Sequence, residues 1–268
     1  MDYSESLENQ IVTSEADQQR TKEWFEARRG RFTGSKIKTL MGTERSASKM
    51  EWGRPEKMLS FGESAIKYIY SKCRERQTAK VIDTGSTLQM KYGAEHEGMI
   101  KSAYLKHSPV HEIKECAFVE FIDGIAGSSP DGEVWQNGKK IAAFEAKFAT
   151  SWDGEFARVE EVFDQKHLDF WQVQSEMLSL RVDKCIYVTA EPPRSIFEPE
   201  CTGIIVQTIL ASPIHQCAII ERCLLSDAII EYKIENSATV RDSIVAVGSK
   251  WDFESALVTN EFKKNGLL

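Results

Sequence analysis

Two turn formers set close together, Ser129-Pro130-Asp131-Gly132 and Gln136-Asn137-Gly138-Lys139, constrain this chain more than anything else in it. Pro-Asp-Gly and Asn-Gly are turn sequences, so Glu133-Val134-Trp135 between them reads as one arm of a hairpin. The other arm is Ile141-Ala142-Ala143-Phe144-Glu145-Ala146-Lys147, short, apolar and bounded by turns, hence a buried strand. Side chains alternate faces along a strand, so Glu145 and Lys147 project together while Ala146 points the other way. Asp131, at the start of the neighbouring arm, can meet that pair. Two hard oxygen ligands at one edge suit Mg²⁺ or Mn²⁺, and a lysine beside them can hold a water for attack on an electrophile. The same residues also satisfy a plainer arrangement, an Asp-Gly turn followed by a strand carrying a solvated ion pair.

The chain has 268 residues, 41% hydrophobic and 28% charged, with no long apolar run. The expectation is a soluble protein of one domain, or one with a small appendage, long enough to bury a core and without a membrane partner. Met1-Asp2-Tyr3-Ser4-Glu5-Ser6 is acidic and polar, unlike a secretory signal, so an intracellular location is expected, cytoplasmic or, in a eukaryotic host, nuclear. The six cysteines include no C-x-x-C pair and read as reduced thiols. Cys217 and Cys223 lack the tight companion pair of a four-cysteine iron-sulfur cluster and read as small buried apolar residues.

A net charge of -7 argues at first against a nucleic-acid partner, but the charges are unevenly placed. Residues 20 to 80 hold 16 Lys or Arg and 7 Asp or Glu, a net of +9, which leaves -16 for the rest. A basic first third on an acidic body can guide DNA, because phosphate neutralisation is local; the same charges scattered over solvated helix faces would not.

Periodicity predicts helix, loop and helix over 20–42, with Thr33 or Ser35 capping the second helix, then a loop, a helix at about 60–75 and a long helix at about 86–106. On the long helix Gly93, Glu97, Ile100 and Tyr104 share a face. Strands follow near 113–122, 124–135 and 141–148, then a helix from Asp164 to about Leu180, with Leu168, Trp171 and Leu178 on its packed face and Gln174 at the border. Strands near 185–190 and 203–209 and an amphipathic helix from Ser212 to about Tyr232 complete an α/β fold with a central mixed β-sheet flanked by helices. The expected organisation is a mobile lead-in at 1–19 and a single domain at 20–235, made of a basic helical arm (20–80) and a core (86–210). An extension at 236–268, with helical patterning confined to about 252–263, has no assignable role.

Motifs along the chain resemble the PD-(D/E)XK nucleases, and within them the lambda exonuclease or YqaJ-like viral recombinase family. Trp24, Arg28, Gly30, Thr33, Gly34 and Ser35 are similar to its opening motif W-x3-R-x-G-x2-T-[AG]-S, and Gly93-Ala94-Glu95-His96-Glu97 to its G-x3-E helix. Ser129-Pro130-Asp131-Gly132, Glu145-Ala146-Lys147 and Gln172-Val173-Gln174 follow in family order, the whole covering roughly 20–210. The resemblance implies a restriction-endonuclease-like core and a Mg²⁺-dependent 5′ to 3′ exonuclease, with Mn²⁺ as a substitute. Such an enzyme degrades one strand of double-stranded DNA from an end and leaves 3′ single strands for an annealing protein. Some family members form rings around DNA, which makes a homotrimer an expectation. An endonuclease, or a viral alkaline nuclease that also cuts RNA, is the nearest alternative, and a DNA-binding module without catalysis is one of another class.

Phosphodiester hydrolysis needs an activated water, an electrophilic phosphorus and a stabilised leaving oxygen, all of which metal ions supply. Asp131 is the expected bridging ligand of two ions, Glu145 a second ligand and the Ala146 backbone carbonyl a third; the resemblance adds Glu97 as an outer carboxylate. Lys147 would orient the attacking water. Gln174 would bond that water or the scissile phosphate, or else satisfy buried backbone. Arg28 offers a planar donor pair for a terminal phosphate, and Ser35 lies at a helix start, where free N–H groups attract anions. The resemblance joins Ser129 to them, and Thr33 through its motif, as a pocket for a 5′ phosphate. Arg28 paired with Glu26 or with a carboxylate of the acidic body is the competing arrangement.

Overall fold

The computed structural model describes residues 11–12, 19, 21–43, 60–80, 88–148, 169–190 and 203–251, with backbone alone at 11–12 and 88–96. In chain order the elements are β1 (Ile11–Val12), α1 (Lys22–Arg28), β2 (Phe32–Thr33), α2 (Gly34–Leu40), α3 (Glu63–Thr78), α4 (Leu88–His107), β3 (Glu112–Lys114) and β4 (Val119–Ile122). They continue with β5 (Ala126–Ser128), β6 (Gly132–Gln136), β7 (Lys139–Phe148), α5 (Phe170–Leu180), β8 (Lys184–Ala190), β9 (Ile204–Leu210) and α6 (Pro213–Asn236). A last helix, α7, runs over 240–251.

The hairpin expected from the two turns is β6 and β7, joined by Asn137 and Gly138, both at positive φ as a tight hairpin turn requires. It lies inside a mixed six-stranded sheet of order β1-β3-β6-β7-β8-β9, in which β7 and β8 run parallel and β8 and β9 antiparallel. The strands expected as 113–122 and 124–135 each break in two. Their pieces β4 and β5 leave the main sheet and join β2 in a separate three-stranded sheet of order β2-β5-β4.

Alternation along β7 divides the core as the sequence predicts. Ala142 and Phe144 pack with Ile100, Tyr104 and Leu105 of α4 on one face. Ala143 packs with Val173, Met177 and Leu180 of α5 on the other, the face shared by Glu145 and Lys147. A larger cluster joins α2, α3, α5, α6 and α7. Burial of these side chains at about 25 cal/mol per Å² of apolar area is the main force holding the layers together.

Helix α7 corrects the expectation that the segment after residue 235 is unpatterned. Val240, Ile244, Val247 and Trp251 fall at helical spacing and pack into that larger cluster. The helix expected near 252–263 lies outside the described residues, as do Asp164 and Leu168. Cations of the basic first third are in part committed to ion pairs: Arg31 with Glu120, Lys72 with Glu75, and Arg76 with Asp227 and Glu231. Cys73, Cys185 and Cys223 are buried free thiols. No helix among the described residues is long and apolar enough to cross a membrane.

Candidate active site

Strand β7 outruns its hairpin partner. Its pairing with β6 stops where Gly132 lies opposite Phe144, whereas β8 stays alongside until Ala190 faces Phe148. Continuing the β6 register would set Pro130 opposite Ala146, and proline has no N–H to donate. The Ala146 N–H is taken instead by Oδ2 of Asp131 at 2.9 Å, and the Pro130 carbonyl accepts from Gln19 Nε2 at 2.9 Å. Asp131 is thereby fixed against the uncovered edge of β7. A strand residue directs its N–H and C=O to the same edge, so the Ala146 carbonyl faces the Asp131 side as well.

Glu145 is 1% exposed. Its Oε1 accepts from the Lys147 ammonium and from Gln172 Nε2 at 2.7 Å, while its Oε2 is buried without a hydrogen-bond partner. Burial, reinforced by Asp131, pushes the Glu145 carboxyl up to about 8 in spite of Lys147. Burial opposes the charge of Lys147, but Glu145, Asp169 and Asp131 together hold its ammonium well above the ordinary lysine range. Glu97 accepts from Lys101 at 2.6 Å on α4, and burial followed by Asp131 raises it to about 7. Carboxyl groups from α4, the Asp131 turn and β7 therefore lie close enough together for Asp131 to raise the other two.

Of the two roles expected for Gln174, the structure rules out contact with the attacking water or phosphate and shows the other, satisfaction of buried backbone. That residue is fully buried on the far side of α5, where its amide donates to the Leu210 carbonyl at 3.1 Å and accepts from the Ser212 N–H at 2.8 Å. Two residues differ by about 200° around a helix, so Gln172, not Gln174, faces the carboxylates. Glu176, one turn further on, was not anticipated. It is 1% exposed, and its Oε1 accepts from Gln172 Nε2 at 2.8 Å. Burial and then Glu145 raise its carboxyl well above the usual range. Asp169 was also unforeseen; it accepts from the Tyr187 hydroxyl at 2.8 Å and contributes to the field on Lys147. An i, i+4 Gln-Glu pair on one helix was the available signal for Glu176.

A second constellation lies beside the first. The Arg28 guanidinium sits 3.9 Å above the Trp24 ring, and both donate to Ser129 Oγ, Arg28 Nη1 at 3.3 Å and Trp24 Nε1 at 2.9 Å. Glu26 is paired with Arg29, at 2.5 Å. Burial lowers Arg28 to about 10, which leaves it charged at neutral pH. The turn that carries it is gripped from α3: Glu75 accepts from the Gly30 N–H at 2.7 Å and Arg76 Nε donates to the Gly30 carbonyl at 2.9 Å. Gly30 has φ +71, a left-handed conformation that favours glycine. Thr33 is turned inward: its N–H donates to the Tyr68 hydroxyl at 3.0 Å, and its side chain makes no capping bond to α2. Ser35 is exposed on the first turn of α2. Gly34 behind it has no room for a side chain, since a Cβ would overlap the Ser128 and Ser175 hydroxyls.

Among the described residues no three His, Cys, Asp or Glu side chains enclose an ion by themselves. Asp131, Glu145 with its unpartnered buried Oε2, and the Ala146 carbonyl offer hard oxygen donors at one edge, and Mg²⁺ characteristically takes few carboxylates and keeps several waters. The donor set fits such an ion.

Residues 23–180 match the YqaJ-like viral recombinase domain. No curated protein matches the sequence. Among solved structures the chain is similar to an alkaline exonuclease from Laribacter hongkongensis, LHK-Exo, in complex with dAMP, at 21% identity and a TM-score of 0.59 over 80% of this chain and 95% of that one. A second structure of LHK-Exo matches at 20% identity and 0.58, over 81% and 98%. A phage-related exonuclease from Haemophilus somnus 129PT matches at 11% and 0.55, over 78% and 96%. These neighbours share the restriction-endonuclease-like fold that the mixed sheet and its flanking helices display. The domain match spans more than half of the chain and takes in Arg28, Ser129, Asp131, Glu145, Lys147 and Gln172: this protein belongs to the YqaJ-like viral recombinase family.

Proposed function

We propose that this protein is a divalent-metal-dependent exonuclease that hydrolyses one strand of linear double-stranded DNA from its 5′ end and leaves a 3′ single strand. The observation that carries this reading is the spacing of the two constellations: Ser129, which holds Arg28, stands two residues from Asp131, which holds the edge of β7. A site for a terminal anion and a site for hydrolysis thus share one short loop. The exonucleases among the structural neighbours support the same reading.

In this mechanism Asp131, Glu145 and the Ala146 carbonyl would hold the metal, with Glu97 as an outer carboxylate. An ion held there would lower the pKa of a water and stabilise charge on the phosphoryl oxygens and the leaving group. Lys147 keeps its ammonium beside Glu145 and orients the attacking water. Gln172 accepts a hydrogen bond from that water, and Glu145 stays in place through its bonds to Lys147 and Gln172. Arg28 binds the 5′-terminal phosphate by charge-assisted bonds, stacked on Trp24 so that its fork is fixed before the end arrives. Ser129 and Ser35 add neutral donors, and Thr33 supports the pocket through Tyr68 from inside.

The test is digestion of linear duplexes with 5′-phosphate or 5′-hydroxyl ends, beside a covalently closed circle, in Mg²⁺ or EDTA, by wild type and Arg28→Ala. Wild type should digest phosphorylated ends fastest and leave the circle intact, and Arg28→Ala should treat both ends alike. Cleavage of the circle, or equal rates at the two ends by wild type, refutes the end-recognition reading and favours an endonuclease.

A further inference from the structure

Gln172 spends both protons of its Nε2 on carboxylates, one on Glu145 Oε1 at 2.7 Å and the other on Glu176 Oε1 at 2.8 Å. Electrostatics fixes this orientation of the amide. The flipped rotamer would set its carbonyl oxygen against two carboxyl oxygens. A carboxyl group accepts at one oxygen whether or not it is protonated, so the arrangement does not depend on the charge of Glu176. With Nε2 saturated, Gln172 Oε1 is the atom left to meet a donor, and Gln172 is half-buried where Glu145 and Glu176 are buried.

Glu176 has no evident structural reason to be a carboxylate. It is 1% exposed in a helix packed against both sheets, and its Oε2 has no hydrogen-bond partner. Burying a carboxyl group with an unsatisfied oxygen is destabilising, and such a group is retained where it serves a site.

We propose that Glu176 is a positioning residue for the hydrolysis: by accepting one amide proton of Gln172 while Glu145 accepts the other, it presents Gln172 Oε1 to the attacking water as a fixed acceptor. Glu176 touches neither water nor substrate and acts through Gln172. This rests on the reading of Asp131, Glu145 and Lys147 as a nuclease centre. It assigns a specific chemical task to each end of the Gln172 amide. Without Glu176 the amide can rotate, and its NH2 then faces a water that has no proton acceptor.

The experiment compares Glu176→Met, Glu176→Gln, Gln172→Ala and the double variant Gln172→Ala/Glu176→Met, scoring kcat, KM for 5′-phosphorylated duplex and Tm. Methionine fills the volume without an acceptor, and glutamine keeps an acceptor without the charge. Glu176→Met should lower kcat about 10- to 100-fold, as misplacement of a catalytic group does, with KM unchanged and Tm equal or higher. Glu176→Gln should stay within about threefold of wild type, and Glu176→Met should cost nothing further in the Gln172→Ala background. A full rate in Glu176→Met, a loss in Glu176→Gln as large as in Glu176→Met, or an undiminished loss in the Gln172→Ala background overturns the proposal. A loss of rate that follows a fall in Tm also overturns it, since the role is then structural. A full rate in Gln172→Ala overturns it together with the task given to Gln172. Absence of metal-stimulated cleavage by wild type overturns the nuclease reading beneath both.

Discussion

Replacing Glu145 by glutamine should stabilise the metal-free protein while destroying its activity, and the structure sets the size of the effect. Glu145 is buried, and its carboxyl lies at about 8 against an ordinary 4.5. Because the folded value is raised, the favourable contribution is complete below about pH 4.5 and is lost as pH rises through 8. Above that, the fold must hold an ionised carboxylate that burial and Asp131 both oppose. A shift of roughly 3.5 units at about 1.4 kcal/mol each sets an upper bound near 5 kcal/mol, less whatever Asp131, Lys147 and Glu176 recover by readjusting. For a chain of this size each kcal/mol moves Tm by about 2–4 °C, so an increase of about 5–15 °C is expected at pH 9. An amide keeps the acceptor that Gln172 and Lys147 use. The assay is thermal unfolding of wild type and Glu145→Gln in EDTA at pH 5 and pH 9. The two should melt together at pH 5 and separate at pH 9, glutamine higher. Added Mg²⁺ should raise wild type at pH 9 more than the variant, because an ion that binds the native state adds its binding free energy to stability. A glutamine variant that melts at or below wild type at pH 9 refutes the picture of a strained anionic centre waiting for a cation.

Asp131→Ala should reduce cleavage by at least about a thousandfold while duplex binding persists in an electrophoretic mobility assay, since ligand loss removes the activated water and leaves the basic surface; a tenth of the wild-type rate would rule Asp131 out as a metal ligand. Lys147→Arg should not recover full turnover, because a planar guanidinium does not replace a compact ammonium between Glu145 and the water; wild-type kcat with arginine would mean that positive charge alone matters there. Gly30→Ala should cost about 1–3 kcal/mol in denaturant unfolding. Its φ of +71 is unfavourable for alanine, and a Cβ would approach Arg76 Cγ to 2.7 Å. The same variant should weaken the preference for 5′-phosphate ends because the turn sets Arg28; an unchanged Tm and end preference would show that the turn can shift without consequence.

The parts of the fold that could be read from sequence are those where one local rule dominates. Turn residues and period-2 alternation located the β6–β7 hairpin and the common face of Glu145 and Lys147. The second sheet was not legible, because β2 has two residues and β5 three, too few to show any period. Helix α7 carried its pattern at Val240, Ile244, Val247 and Trp251, but β-branched residues in three of those four positions resemble a strand as much as a helix. The exchange of Gln172 for Gln174 has a sharper cause. Amphipathic reasoning assigns polar residues to a solvent face, and α5 has almost none: Gln174, Ser175, Glu176 and Ser179 are all buried beside Trp171 and Val173. On such a helix polarity marks partners, not exposure, and partners come from other elements.

The loop at 128–131 shows what that dependence produces. Ser128 Oγ donates to Ser175 of α5 at 3.0 Å, Ser129 Oγ accepts from Trp24 and Arg28, the Pro130 carbonyl accepts from Gln19, and Asp131 accepts from Ala146 on β7. Consecutive residues therefore tie the loop to the central helix, to the first helix, to the segment preceding that helix and to the sheet. A displacement that spoils the Arg28 pocket must also move Asp131 unless the chain bends within two residues, and Pro130 between them, with φ fixed by its ring, resists that bend. Under the proposed function, coupling of end recognition to hydrolysis would need no moving part, because covalent geometry sets the distance between the proposed phosphate pocket and the proposed metal ligands.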